Sequence, residues 1–163
     1  MRALGAGDTS RGRIGTVSLL AFDSEYIGHI DNWAATAERM STRGLMRSSG
    51  ADWLRLLEAY GQLNGNIDRH YGNIFLVIDP SGNWALAPAY DTLPMICAPV
   101  AGELVSREDF DPGKLAPTAD TLRVWDEARK LATRVLAQCG RGEAALQRVP
   151  SVGPAARAQP RSA

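Results

Sequence analysis

The chain has 163 residues, 45% of them hydrophobic, 22% charged and 7% aromatic, with 18 basic residues balanced against 18 acidic ones. That length suits one domain with one sizeable core and crowds out a second. A formal net charge of zero and a pI near 6.7 leave no overall basic excess of the kind that drives nonspecific nucleic-acid or anionic-membrane binding.

The two cysteines, Cys97 and Cys139, form no Cys-x-x-Cys pair. They are too few for a disulfide framework or a zinc cluster and fit a reducing cytosol. The longest apolar runs, such as Ile74 to Ile78, fall far below the roughly 20 residues of a membrane span, and no signal-like stretch follows Met1-Arg2. The expectation is a soluble, cytoplasmic protein with no membrane partner. Lys114 and Lys130 are the only lysines, so any chemistry that needs a lysine must use one of them.

In chain order, residues 1–12 are rich in Gly, Ser and Thr and read as a loop or frayed end. Gly5-Ala6-Gly7 fails as a phosphate loop, because no strand precedes it and no Gly-Lys-Ser/Thr follows. From Thr16 to about Ile30, Val17, Leu19, Leu20, Phe22 and Tyr26 fit one helical face, with Ser18 and Asp23 opposite and His29 as a structural or surface residue. Asp31 or Asn32 caps a second helix through Trp33, Ala35, Ala37 and Met40 that ends near Gly44. Ser48 or Ser49 caps a third, whose stripe of Trp53, Leu54, Leu57, Tyr60 and Leu63 reads as core.

After Asn64 the pattern turns polar up to Asn73. The β-rich run Ile74–Ile78, the turn Asp79-Pro80-Ser81-Gly82-Asn83 and a second run from Trp84 to Ala87 then predict a hairpin. Pro88, Pro94, Pro99, Pro112 and Pro117 break up the segment that follows. A final helix is expected from near Ala119, with Leu122, Trp125, Leu131, Val135 and Leu136 on one face, Arg123, Lys130 and Arg134 on the other, and a stop at Gly140. Residues 141–163 lose periodicity in an Ala, Arg and Pro mixture and read as a disordered tail.

The chemistry concentrates between Asn64 and Asp91. Asp68 and Asn73 stand five residues apart, and the hairpin brings Asp91 back beside their loop. Two carboxylates and an amide suit Mg²⁺, a hard cation commonly held by one or two carboxylates together with substrate phosphates. The spacing matches the kinase arrangement, in which an Asp accepts the nucleophile's proton, an Asn five positions later holds a metal, and a second Asp beyond a hairpin bridges metal and phosphates. Taken singly, each residue has a plainer explanation. Asn64, Gly65, Asn66 and Asp68 are ordinary turn residues, His70 suits a hydrogen-bonded structural role, Tyr90 suits packing, and Asp91 suits a cap for Thr92 onward.

Asn66-Ile67-Asp68-Arg69-His70-Tyr71-Gly72-Asn73 resembles the Asn-x-Asp-x-His-x-x-Asn catalytic loop of HipA-family serine/threonine kinases, the toxins of bacterial toxin–antitoxin pairs, and Ala87-Pro88-Ala89-Tyr90-Asp91 resembles that family's Ala-Pro-x-Tyr-Asp metal motif. Leu93-Pro94-Met95 and Gly102-Glu103-Leu104 extend the likeness to about residues 12 to 138. The resemblance implies a mainly α fold with a small β-hairpin, the C-terminal lobe of a protein-kinase-like enzyme, over residues 13–140. It implies Asp68 as general base, His70 and Asn66 as supports of the catalytic loop, and Asn73 and Asp91 as ligands of Mg²⁺ and, through it, ATP. The acceptor would be Ser or Thr of a protein that the sequence does not identify; Ser81 and Ser106 are unremarkable surface residues.

A kinase also needs a Gly-rich loop and a phosphate-anchoring lysine or its equivalent. There is no lysine in the first 113 residues, so the N-lobe is missing from this reading, and the chain is expected to have little activity alone. It reads as a fragment, a truncated gene product whose tail fits a frameshift in a GC-rich gene, or a lobe completed by a separate N-lobe. The competing class is a noncatalytic interaction module that binds an antitoxin-like DNA-binding protein or another kinase half. A third reading is a metal-dependent phosphoesterase or nuclease using Asp68, His70, Asn73 and Asp91, which the neutral charge disfavours.

Overall fold

A computed structural model of the chain describes residues 14–94, 112–138 and 151. The loop expected at residues 1–12, Met95, Cys97, Pro99, the Gly102–Leu104 stretch, Ser106, Cys139, the stop at Gly140 and all of the expected tail but Ser151 lie outside the described residues. The architecture is mainly helical with one small three-stranded antiparallel sheet, in the order β1 (Val17–Ser18), α1 (Leu19–Phe22), α2 (Trp33–Thr42), α3 (Ser48–Leu63), β2 (Phe75–Ile78), β3 (Trp84–Leu86) and α4 (Trp125–Gln138). No helix among the described residues is long and apolar enough to cross a membrane.

The hairpin forms where the β-rich runs and the turn predict it, with Leu76 opposite Leu86 and Ile78 opposite Trp84. In its turn, Asp79 Oδ1 accepts from the backbone N–H groups of Ser81 and Asn83 at 2.8 and 2.9 Å, and Gly82 takes a φ of 82°. These N–H donors, Asn83 first, and the Arg47 guanidinium hold the Asp79 carboxyl below its ordinary value against a smaller opposing effect of desolvation.

The first predicted helix needs correction. Val17 and Ser18 pair with Leu76 and Phe75 as the sheet's third strand, and the helix is short: α1 passes into a π-helical turn, Asp23–Ile27, closed by Gly28 at φ 72°. Local periodicity carries no information about pairing with a strand some sixty residues on. Asp23, expected on the polar side, is buried and accepts the His29 backbone N–H at 3.1 Å, while Leu20 and Tyr26 are exposed.

α2 follows the sequence closely, with Asn32 as its cap accepting from the Ala35 N–H at 2.8 Å. α3 departs in two ways. Its N-cap is Arg47 without a side-chain bond, which puts both serines inside the first turn, and Trp53 faces solvent. The reason is that α3 packs on two sides. Ala51 and Leu54 join Phe22, Trp33, Met40, Ile74 and Leu76 in one core, while Leu56, Ala59 and Leu63 join Trp125, Ala128, Ala132 and Leu136 in a second. Of the predicted stripe, Leu54 and Leu63 are fully buried and Leu57 and Tyr60 pack against the two cores, so Trp53 alone leaves it.

α4 starts at Trp125, later than expected. Thr118 and Thr121 bond each other's backbone and hydroxyl groups, with Thr121 fully buried, and a 3₁₀ turn at Leu122–Val124 follows. Threonine side chains that bond nearby backbone compete with helix formation.

Candidate functional site

The polar loop runs from the end of α3 to the start of β2 and closes in a single 3₁₀ turn, Tyr71–Asn73. Two anchors seat it on the helical body. Tyr71 is buried, and its hydroxyl accepts from the Asp31 backbone N–H at 2.9 Å and bonds the Thr36 hydroxyl, which fixes the turn to the start of α2. Arg69 pairs through Nε with buried Glu58 at 3.2 Å and donates to the Asn66 carbonyl. Its side chain lies across Gly61, where a Cβ would come within 2.5 Å of Arg69 Cδ, so glycine on this face of α3 makes the seat. Glu58 also accepts from the Trp33 backbone N–H at 3.3 Å and from Gln62 at 3.1 Å.

On this platform the structure gathers the residues that the sequence singles out. Asn66 is 1% exposed. Its Oδ1 accepts the Asp68 N–H at 2.8 Å, and its Nδ2 donates to the Asp91 carbonyl at 3.4 Å. Asn73 donates from Nδ2 to the Asp68 carbonyl at 2.9 Å and to Asp68 Oδ2 at 3.4 Å. The Asp68 side chain is about half exposed. His70 is also exposed. Its Nδ1 accepts the Gly72 N–H at 3.0 Å, so the proton of the neutral ring sits on Nε2, 3.5 Å from Asp68 Oδ1.

Asp91 lies beyond the hairpin in a segment with no regular structure and has a φ of 55°, the one positive value outside glycine among the described residues. Buried Asn64 donates to the Thr92 carbonyl at 3.0 Å, next to the bond that Asn66 makes to Asp91. Tyr90 does more than pack. Its ring lies 5.6 Å from that of Phe75, and its hydroxyl donates to the Gly72 carbonyl at 3.1 Å, tying the Asp91 segment to the 3₁₀ turn.

Among the described residues, no three His, Cys, Asp or Glu side chains cluster as metal ligands. Asn73 and Asp68 meet through their side chains, whereas Asp91 joins the loop through its backbone carbonyl. Carboxylate and amide oxygens of this kind are the hard donors that Mg²⁺ takes. The sequence points to Asp68, His70, Asn66, Asn73 and Asp91. Their supports Asn64, Glu58, Arg69 and Tyr71 have no local signature, because their partners lie on other elements.

Part of the chain is similar in sequence to a bacterial toxin. Over 89 residues the chain is 36% identical to Toxin YjjJ of Escherichia coli (strain K12), a match that covers 54% of this chain and 20% of that toxin. The chain thus aligns with about a fifth of the curated relative's length. No family model matches the chain.

Proposed function

We propose that this chain carries the catalytic loop and metal-binding half of a HipA-like serine/threonine kinase, which transfers the γ-phosphoryl group of ATP to a protein hydroxyl in a toxin–antitoxin setting. The observation that supports this most is the pair of hydrogen bonds of Asn66, which accepts from the Asp68 backbone N–H at one end of its amide and donates to the Asp91 carbonyl at the other. A base and a metal ligand 23 positions apart in sequence are thereby joined through one buried side chain. Homology to a toxin over about half the chain supports the toxin–antitoxin setting.

In this reading Asp68, exposed and held at its backbone by Asn66 and Asn73, accepts the proton of the Ser or Thr hydroxyl as its oxygen attacks the γ-phosphorus. The bond from that phosphorus to the β–γ bridging oxygen breaks, and ADP leaves. His70 limits the rotamers of Asp68 from the Nε2 side. Asn73 and Asp91 would hold Mg²⁺, which would supply countercharge to the ATP phosphates. A phosphate-covering loop and an anchoring cation come from an N-lobe, in the same polypeptide or a separate one. The acceptor protein and an antitoxin-like DNA-binding protein are the partners that this function calls for.

The test is calorimetric titration of the purified chain with ATP and Mg²⁺ beside Asp91→Ala. The proposal expects binding that Asp91→Ala abolishes. A folded chain that binds no Mg·ATP overturns it and favours a noncatalytic interaction module.

A further inference from the structure

We propose that Asn64 is a positioning residue for Asp91, fixing the direction in which that carboxylate meets its cation. This rests on the phosphotransfer function for the role of Asp91, and it adds a residue outside the two motifs that point to the site.

Asn64 follows the last turn of α3 and is fully buried, so its amide groups must find partners inside the protein. As a simple helix cap it would bond its own helix or the next turn. Only its Oδ1 does so, accepting the Asn66 N–H at 3.1 Å, whereas Nδ2 crosses 28 positions to the Thr92 carbonyl at 3.0 Å. Asn66 holds the adjacent Asp91 carbonyl. Two successive carbonyls are thus gripped by two buried amides of one loop.

Asp91 is where such a grip is needed. Residues 87–94 belong to no helix or strand, so no backbone ladder fixes them beyond the bond from Ala87 to Phe75. Asp91 itself sits in the left-handed region that non-glycine residues avoid. The Thr92 carbonyl follows Asp91 directly, and pinning it prevents the segment from relaxing to an extended conformation that would turn the carboxylate elsewhere. Asn66 alone holds the Asp91 carbonyl at 3.4 Å, and the shorter Asn64 bond makes the placement definite.

The test uses the full chain and ADP as probe, with affinity measured by calorimetry once with Mg²⁺ and once with EDTA. Asn64→Asp keeps an acceptor for the Asn66 N–H but turns an oxygen toward the Thr92 carbonyl. It is expected to lose at least tenfold of the Mg²⁺-dependent gain in ADP affinity, as Asp91→Ala does, with the metal-free affinity unchanged. An unaltered Mg²⁺-dependent gain overturns the positioning role. So does an equal fall in both affinities, which marks a general structural lesion. Should Asn64→Asp fail to fold, Asn64→Ser, too short to reach Thr92, decides by the same comparison. A wild-type chain whose ADP affinity ignores Mg²⁺ overturns the phosphotransfer function itself, and the assigned role of Asn64 with it.

Discussion

The site has two halves built by different means. The loop half, Asp68 with His70 and Asn73, closes through bonds that span at most five residues: Asn73 to Asp68, Gly72 to His70, Asp68 to Asn66. The half around Asp91 hangs from bonds that span 18 to 28 residues, from Tyr90 to Gly72, Asn66 to Asp91 and Asn64 to Thr92. One half is a local fold of the chain and the other a tertiary fixture. On the proposed function, a lesion at Asp68 should act on proton transfer, and a lesion at Asn73 or in the long bonds on metal capture.

The largest expected effect separates these consequences. Asp68→Asn keeps the loop's backbone bonds but removes the base, and in the enzyme completed by its N-lobe should lower the rate of phosphoryl transfer about 10²- to 10⁴-fold while leaving Mg·ADP affinity within about twofold, checked by radiolabel transfer and calorimetry. Asn66→Ala removes the one side chain common to both halves. It leaves the Asp68 N–H and the Asp91 carbonyl without their partner and should cost about 2 kcal/mol of stability, measured by urea unfolding.

Asp91→Gly divides stability from function. Glycine accepts a φ of 55° without strain, so the chain should gain about 0.5–1 kcal/mol in the same unfolding measurement and lose its Mg²⁺-dependent nucleotide binding. No gain would place the strain elsewhere. The smallest effect concerns the hairpin turn that sets where the chain returns toward Asp91. Because the folded Asp79 carboxyl titrates below its ordinary value of 3.8, its contribution to stability is complete above that value and vanishes as pH falls through the lower folded one. Wild type should exceed Asp79→Asn in melting temperature at neutral pH, with the difference shrinking only in strong acid.

The two halves also differ in how far the amino-acid order reveals them. The hairpin, the Asn32 cap and the polar loop are legible because β-rich runs, capping and turn chemistry act over a few residues. Asp68, Asn73 and Asp91 stand out by spacing alone. Asn64 does not, because an Asn after a helix looks like any turn residue until its partner at Thr92 is known. The third strand stays hidden for the same reason, since Val17 and Ser18 become a strand only by meeting Leu76 and Phe75. Trp53 misleads in the opposite direction: its size suggests core, but α3 packs through Ala51, Leu54, Leu56, Ala59 and Leu63 and leaves Trp53 exposed.

The most direct measurement of the central claim, that the local and the tertiary half serve one cation, is a Mn²⁺ titration of the ¹⁵N-labelled chain in the presence of ADP. The account requires the backbone amides of Asn73 and Asp91 to broaden together, at the same Mn²⁺ concentration and before any other pair so distant in sequence. Broadening of either one without the other would contradict it.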